Sequence, residues 1–258
     1  MGFLSRLFKK EPVLEPINYG LLGMDIHSHL VPGIDDGAKT IEDTISLLTK
    51  FEEMGYKKVI TTPHVMSDYY RNTPESILGG LPAMREARDK AGLKIKIDAA
   101  AEYNVDADFE EKITSKQLLT FGDNYVLFEL PFLQEPPNLT SCIFEMQTNG
   151  YKPILAHVER YAYWHNNWDK VEDILNKGIK LQLNLNSLSG FYGPEVKKMG
   201  EKLVDQDVIT MVSSDCHHMG HMNIMKDIST KPYIHKIVNK EDLINKQLDP
   251  IIETEYSF

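Results

Sequence analysis

Short apolar runs alternate with amphipathic segments along most of the chain. The runs that we predict as strands cover residues 21–26, 59–62, 95–100, 125–130, 154–156, 181–185 and 208–213. The segments predicted as helices cover residues 41–51, 74–91, 107–116, 139–148, 171–176 and 194–205, and residues 243–248 could form one more. Apolar strands separated by helices are typical of a parallel sheet that is buried on both faces. The pattern predicts an α/β fold, and its number of repeats favours a closed or nearly closed barrel.

The organisation of the chain predicts a single domain. No internal repeat or low-complexity linker divides the 258 residues, and one α/β barrel of this length is ordinary. We expect an N-terminal tail over residues 1–19 and a barrel domain over residues 20–258, with a C-terminal extension. The first ten residues, MGFLSRLFKK, combine apolar and basic side chains. They predict a frayed tail, with weak contact to a membrane surface or a partner as the alternative.

Composition and charge exclude several classes of protein. The chain has 28 Lys and Arg against 38 Asp and Glu, a net charge of −10, so nucleic acid is not an expected partner. Cys142 and Cys216 are its two cysteines, too few for a disulfide framework and typical of a reducing compartment. No apolar run reaches the roughly 18 residues needed to span a bilayer. The sequence therefore predicts a cytoplasmic protein, and it leaves a homo-oligomer open.

Histidines and carboxylates recur next to the ends of the predicted strands. They are His27, His29, His64, Glu102, Glu129, His157, Asp215 and His217. A single histidine or glutamate there would most simply be a loop or core residue. However, the carboxyl ends of parallel barrel strands form one face, so side chains at nearly all of these ends should converge. The set predicts a metal site, and imidazole and carboxylate ligands without thiolate suit Mn, Fe or Zn.

The motifs that carry these residues resemble those of the polymerase-and-histidinol-phosphatase (PHP) superfamily. They are Asp25-Ile26-His27-Ser28-His29, Pro32-Gly33-Ile34-Asp35-Asp36-Gly37, Thr62-Pro63-His64, Ala101-Glu102-Tyr103, Phe128-Glu129-Leu130, Ala156-His157-Val158-Glu159-Arg160-Tyr161 and Ser214-Asp215-Cys216-His217. From about residue 22 to about residue 221, the chain is most similar to the bacterial PHP-type tyrosine-protein phosphatases of capsule and exopolysaccharide operons. The resemblance implies a distorted seven-stranded β/α, TIM-like barrel that holds three metal ions.

The resemblance also implies the ligands of each ion. The first ion would be held by His27, His29, Glu102 and Asp215, the second by Glu102, Glu129 and His157, and the third by Asp36, His64 and His217. Glu102 would bridge two ions, and it is expected to act in catalysis together with Asp36 and Arg160. Asp35 remains an alternative to Asp36, because the sequence does not show which carboxylate faces the ion. Manganese is the expected metal, with iron or zinc as alternatives.

Substrate binding is expected to rest on Arg160, which matches the family's phosphate-binding arginine. A planar guanidinium suits two-point contact with phosphate oxygens. The family often has a second arginine shortly after its final histidine, whereas this chain reads His217-His218-Met219-Gly220-His221. His218 or His221 is therefore expected to take that place, and an imidazole would make the phosphate contact sensitive to pH.

The resemblance implies metal-assisted hydrolysis of phosphotyrosine, on the tyrosine-rich tail of a bacterial tyrosine kinase. Several aromatic side chains could line the mouth of the site, namely Tyr69, Tyr70, Tyr161, Tyr163 and Trp164. Neither cysteine lies in a Cys-x5-Arg phosphate loop, so thiolate chemistry is not expected. The alternatives are a small-molecule phosphatase acting on a compound such as histidinol phosphate, a nuclease of the same superfamily, and a metal-bound regulatory subunit of polysaccharide export.

Overall fold

Parallel strands alternate with helices along the protein, as the sequence predicts. The computed structural model describes residues 14–256, so the tail predicted for the first ten residues lies outside it. The described strands are β1 (Met24–Asp25), β2 (Lys58–Thr61), β3 (His64–Val65), β4 (Lys96–Ala99), β5 (Glu102–Asn104), β6 (Tyr125–Glu129), β7 (Lys152–Leu155), β8 (Lys180–Asn184) and β9 (Met211–Ser213). The described helices are α1 (Ile41–Glu53), α2 (Pro74–Lys90), α3 (Phe109–Thr114), α4 (Leu139–Thr148), α5 (Trp168–Asn176), α6 (Pro194–Asp205), α7 (Met219–Ile228), α8 (Pro232–Val238) and α9 (Ile244–Gln247).

The strands form two sheets that are parallel throughout. One has the order β1-β2-β4 and the other the order β3-β5-β6-β7-β8-β9. Residues 14–256 thus contain nine strands where the sequence predicted seven. The additional strands β3 and β5 follow β2 and β4 after gaps of only two residues. Pro63, in the first gap, has no N–H to donate to a neighbouring strand, which ends β2.

The first and last strands approach each other at their carboxyl ends. Ser28 and Cys216 form an isolated parallel bridge, and the His29 N–H donates to the Cys216 carbonyl at 2.9 Å. The buried Asp25 carboxylate accepts hydrogen bonds from the Ser214 backbone N–H at 2.8 Å and from its hydroxyl at 3.0 Å. The sheets therefore curl until β9 lies beside β1, which brings the strand ends together.

Two apolar clusters stabilise this arrangement. The larger one packs the helices against the strands and includes Leu48 and Phe51 of α1. The smaller one contains strand residues such as Met24, Leu127 and Ile154, whose side chains lie on the other face of the curled sheets. The helices thus cover one face of each strand while the strands fill the space within the curl.

Helix α2 continues through a segment that contains two glycines and a proline. Pro82 lies inside this helix, which confirms the prediction of one helix across residues 79–82. A side chain at Gly80 would force Val31 to shift, because a Cβ at that position would lie 2.6 Å from Val31 Cγ1. The glycine thus lets the helix approach the loop that follows the first histidine motif.

The C-terminal part of the chain departs most from the predictions. Helices α7 and α8 were not predicted, and α9 spans only four residues of the helix expected at residues 243–248. The segment beyond it runs beside β2 and β4, where the Thr254 N–H donates to Asp98 Oδ1 at 2.9 Å and the Tyr256 hydroxyl donates to the Ala99 carbonyl at 2.8 Å. Along residues 14–256, no helix is long and apolar enough to cross a bilayer.

Candidate metal centre

All the predicted metal ligands lie close together, and all except Asp36 lie within a few residues of a strand end or start. His27 and His29 follow β1, Glu129 ends β6, His157 follows β7 and Asp215 follows β9. Their side chains form overlapping groups whose ligand atoms lie within 4.8 Å of one another. The groups are His27, His29 and Glu102; His27, His157 and Asp215; His64, Glu102 and Glu129; and His29, Asp36, His64 and His217. The convergence expected from the strand-end pattern is thus present in the structure.

Glu102 lies at the centre of the cluster. Its Oε2 is 3.2 Å from His27 Nε2 and 3.0 Å from His64 Nδ1. Its Oε1 is 3.0 Å from Nε2 of His157, which also lies 3.6 Å from Glu129 Oε2. The two oxygens of one carboxylate therefore face different histidines. A carboxylate shared between two neighbouring ions has this arrangement.

Asp36 and Asp35 have different surroundings, although they are adjacent in sequence. Asp36 Oδ1 lies 3.5 Å from His64 Nε2 and 3.4 Å from His217 Nε2. Asp35 is buried, and its Oδ2 accepts from His29 Nδ1 at 2.8 Å while its Oδ1 accepts from the Gly37 N–H at 2.9 Å. The geometry favours Asp36 as the ligand. Asp35 instead orients His29, as carboxylates behind metal-binding histidines commonly do.

The chemistry of the donor atoms fits divalent cations. His27 Nε2, His29 Nε2, His64 Nδ1, Glu102 Oε2 and Glu129 Oε1 are buried and make no hydrogen bond of normal geometry within residues 14–256. Buried polar atoms almost always have a partner. Here the unpartnered atoms point towards one another, and nitrogen and oxygen donors in such a cluster match the ligand sets of Mn, Fe and Zn sites.

The electrostatics of the cluster also indicate that its carboxylates require nearby positive charge. Burial would raise the pKa of Glu102, but the facing His27 and His64 rings hold it well below its ordinary value. Burial likewise disfavours a charged His27, yet Glu102 and Asp215 raise the pKa of that ring to about 9. Protons on the imidazoles therefore supply the charge that the carboxylates require in the metal-free protein.

Two of the candidate ligands have left-handed backbone conformations. His157 has φ of 30° and Asp215 has φ of 49°. Residues other than glycine rarely adopt this region, and such conformations concentrate at functional sites. The His157 N–H donates to Gln182 Oε1 at 2.7 Å, and the Asp215 N–H donates to the His27 carbonyl at 2.9 Å. These hydrogen bonds hold both turns, so the side chains enter the cluster directly after their strands.

Arg160 lies beside the cluster and contacts it through one carboxylate. Its Nη1 donates to Asp215 Oδ2 at 2.9 Å. Asp215 Oδ1 lies 3.3 Å from His27 Nε2 and 3.4 Å from His29 Nε2. A short 3-10 helix, Val158–Arg160, places the arginine one turn after His157. The motif spacing therefore brings a permanent positive charge next to the candidate ligands.

A cavity of about 310 Å³ opens beside the cluster and is lined by Arg160 and both predicted substrate residues, His218 and His221. The His218 side chain accepts from the Gly220 N–H at 3.1 Å and caps α7. His221 Nδ1 lies 3.0 Å from the Asp215 carbonyl oxygen. Burial, together with the neighbouring His218, lowers the pKa of His221 to about 4. His221 is thus neutral near pH 7 and does not replace the charge of the missing arginine there.

The aromatic residues at the cavity differ in part from those expected. Tyr161 and Trp164 are buried and support loops, whereas Tyr70 stacks on His64 with 5.6 Å between ring centroids. The cavity is lined instead by Phe132 and Tyr192, which the sequence analysis did not single out. Both lie in loops that carry no motif, so their side chains reach the site only through the fold.

Comparison with known proteins places the chain in a family. The family described as "Capsular polysaccharide synthesis, CpsB/CapC" matches residues 23–243, which is most of the chain, and the protein belongs to that family. The chain is 28% identical over 201 residues to the tyrosine-protein phosphatase YwqE of Bacillus subtilis, covering 78% of this chain and 79% of that protein. It is 27% identical over 220 residues to the tyrosine-protein phosphatase CpsB of Streptococcus pneumoniae, covering 81% and 90%.

The fold agrees with a solved structure from the same group. A structure from the study of YwqE and CpsB, described as unique metal-dependent tyrosine phosphatases, superposes with a TM-score of 0.76 at 25% identity. The match covers 87% of this chain and 90% of that chain. The resemblance given by the sequence motifs is thereby confirmed.

Proposed function

We propose that the protein is a metal-dependent protein-tyrosine phosphatase, which hydrolyses the phosphate ester of phosphotyrosine. The observation that carries the proposal is the cluster of buried, unpartnered imidazole and carboxylate atoms beside Arg160. The family and the named relatives agree with this reading. The domain that performs the reaction is a PHP-type, TIM-like barrel over residues 20–258, in which β2 with β3 and β4 with β5 each count as one interrupted strand.

Three divalent ions, with manganese as the first choice, complete the site. The first would be held by His27, His29, Glu102 and Asp215, the second by Glu102, Glu129 and His157, and the third by Asp36, His64 and His217. Bound divalent ions lower the pKa of water to near neutrality and neutralise charge on phosphate oxygens. Glu102 would contribute to the ligand sets of both the first and the second ion. Asp36 would help to hold the third ion, whose ligands are the most exposed.

The protein itself binds the phosphate and positions it. Arg160 offers N–H donors to the non-transferred oxygens, and this contact stabilises the charge of the transition state. The side chains of His218 and His221 border the same cavity and offer hydrogen-bonding groups to it. The leaving phenol has a pKa of about 10, far below that of an alkyl alcohol, so the reaction on phosphotyrosine needs less help from a general acid.

The substrate is a tyrosine-phosphorylated protein segment, and the partner we propose is the tail of a bacterial tyrosine kinase. Asp36 and Phe132 at the cavity are 51% and 44% exposed, so the candidate site lies at the surface rather than in an enclosed pocket. This position suits a side chain on a polypeptide. The free cysteines Cys142 and Cys216 agree with a cytoplasmic location.

The test is phosphate release from a phosphotyrosine peptide, a phosphoserine peptide of the same sequence, and histidinol phosphate. Each substrate is assayed with Mn²⁺ and with EDTA. Release from the phosphotyrosine peptide that depends on Mn²⁺ is the expected result. Faster release from histidinol phosphate would be consistent with the proposed metal centre but would overturn phosphotyrosine as the proposed substrate. The absence of release from any substrate would overturn the enzyme proposal.

A further inference from the structure

We propose that Phe132 and Tyr192 are positioning residues that hold the guanidinium of Arg160 in place for phosphate, an inference that rests on the proposed function. The Arg160 Cζ lies 4.7 Å from the centroid of the Phe132 ring and 4.3 Å from that of the Tyr192 ring. Both distances are within the roughly 6 Å range over which aromatic rings attract cations. The three side chains line the same cavity.

The polar contacts of Arg160 explain why the rings matter. Within residues 14–256, its one side-chain hydrogen bond is the bond from Nη1 to Asp215 Oδ2. The remaining N–H groups of the guanidinium are thus free to bind a ligand. One hydrogen bond alone would let this long side chain rotate about the contact. The two aromatic rings restrict that rotation without occupying any further donor.

Phe132 is itself held by its loop. The loop follows β6, where the Tyr163 hydroxyl donates to the Pro131 carbonyl at 3.0 Å. Three residues after Phe132, Glu135 accepts from Trp164 Nε1 at 2.8 Å and from Lys170 Nζ at 2.6 Å. Hydrogen bonds on both sides thus fix the loop, which keeps the Phe132 ring at the cavity although that residue is 44% exposed.

Tyr192 is held by the segment between β8 and α6. It lies in a tight turn between Gly190 (φ 90°) and Gly193 (φ 104°), two backbone conformations that favour glycine. Asn184 Nδ2 lies 3.3 Å from the Tyr192 hydroxyl oxygen and 2.9 Å from Asp215 Oδ2, to which it donates. The same carboxylate oxygen therefore binds both Arg160 and the amide that contacts the Tyr192 hydroxyl.

The expected consequence is weaker phosphate binding when a ring is lost. A cation–aromatic contact at a partly desolvated site corresponds to a loss of about 5- to 30-fold in affinity. Phe132→Leu should show this loss, whereas Phe132→Tyr, which keeps a ring, should restore most of the affinity. Tyr192→Leu and Tyr192→Phe form the equivalent pair on the other side. Leu133→Ala is the matched control, because Leu133 is 96% exposed in the same loop.

The experiment titrates inorganic phosphate into the Mn²⁺-loaded protein by isothermal calorimetry. Phosphate has no ring, so stacking of a substrate on Phe132 does not contribute to the result. Metal content is measured for every variant by mass spectrometry. A double-mutant cycle then compares Phe132→Leu in the parent protein and in Arg160→Ala, and the ring should have no effect once the guanidinium is gone.

The outcomes separate this inference from the proposed function. The positioning role is supported if Phe132→Leu lowers phosphate affinity, Phe132→Tyr keeps most of it, and Phe132→Leu has no effect in the Arg160→Ala background. An equal loss with and without Arg160, or an unchanged affinity in Phe132→Leu and Tyr192→Leu, overturns it. Because phosphate binding is measured directly, this result holds even if the parent protein releases no phosphate from phosphotyrosine, which would refute only the proposed function.

Discussion

Arg160 Nη1 lies 2.9 Å from Asp215 Oδ2, while the other oxygen of the same carboxylate faces two histidines of the candidate metal centre. One buried carboxylate therefore connects the residue proposed to bind phosphate with the residues proposed to bind metal. The hydrogen bond fixes one nitrogen of the guanidinium and leaves its other donors free. It also means that the arginine can be removed without removing a ligand.

We expect Arg160→Ala to lower kcat/KM for a phosphotyrosine peptide by about 100-fold, with a higher KM and a lower kcat. Arg160→Lys should recover only part of the loss, because an ammonium does not match two phosphate oxygens. Steady-state kinetics provides the measurement, and metal content should remain that of the parent protein. Loss of metal from Arg160→Ala would instead show that the arginine maintains the centre.

Removal of the metal should abolish activity and leave the fold intact. The two apolar clusters of residues 14–256 contain none of the candidate ligands, and a core of this size is sufficient to keep a domain folded. Circular dichroism after treatment with EDTA should therefore retain its helical signal while phosphate release stops, and Mn²⁺ should restore the release. Collapse of the helical signal would contradict this expectation.

The different surroundings of Asp35 and Asp36 predict different phenotypes. Asp36→Ala should lower the amount of metal bound per chain, because Asp36 faces His64 and His217 directly. Asp35→Asn should keep the stoichiometry but weaken metal affinity by about 10- to 100-fold, as is usual when a residue behind a ligand is changed. Elemental analysis and metal titration distinguish the two cases, with the exposed Asp227 changed to Asn as a control. Reversed phenotypes would make Asp35 the ligand.

Metal binding should release protons at neutral pH. The facing carboxylates raise the pKa of His27 to about 9 against the opposing effect of burial, so this ring is protonated at pH 7 in the metal-free protein and must lose its proton to bind a cation. Metal affinity should therefore increase as the pH rises from about 6 towards 9. Calorimetry of Mn²⁺ binding in buffers with different ionisation enthalpies measures the protons released, and a heat that does not depend on the buffer would refute the prediction.

Removal of the contact between Asp25 and Ser214 should lower the stability of the protein. Asp25→Ala leaves the Ser214 N–H and hydroxyl without their buried acceptor, at a cost of about 1–3 kcal/mol in the free energy of unfolding. Asp25→Asn should lose less, because an amide oxygen still accepts. Urea unfolding of the parent and both variants provides the test. Equal stability of all three would show that the β1–β9 junction does not depend on this residue.

Eight of the nine candidate ligands could be predicted from the strand pattern, because each lies within a few residues of a strand end or start, whereas Asp36 lies in the loop after β1 and was indicated only by the family resemblance. The alternation of strands and helices fixed the position of those termini to within a few residues, and the parallel arrangement brought them to one face. The same reasoning missed strands β3 and β5, because a two-residue break such as Thr62-Pro63 leaves no periodic signal. It also missed α7 and α8, which follow the last strand and have no following strand to delimit them.

Residues whose roles depend on tertiary contacts escaped the sequence analysis. Phe132 and Tyr192 lie 60 positions apart in loops without a motif, and only the fold places both against Arg160. The adjacent Asp35 and Asp36 are chemically equivalent in sequence, and the hydrogen bonds of the loop decide which of them faces His64 and His217. Tyr161 belongs to a recognisable motif, but its burial makes it a support for the loop after β6.

The left-handed turns at His157 and Asp215 have a consequence for redesign of the centre. Positive φ values disfavour most side chains, and asparagine, aspartate and histidine tolerate them best. Each position is therefore restricted twice, once by the donor atom it supplies and once by its backbone. A cysteine introduced at 157 to attract softer metals would strain the turn as well as change the ligand. Among the described residues, His27 and His29 have no such backbone restriction, so the candidate centre is more open to redesign at the ligands that follow β1 than at those that follow β7 and β9.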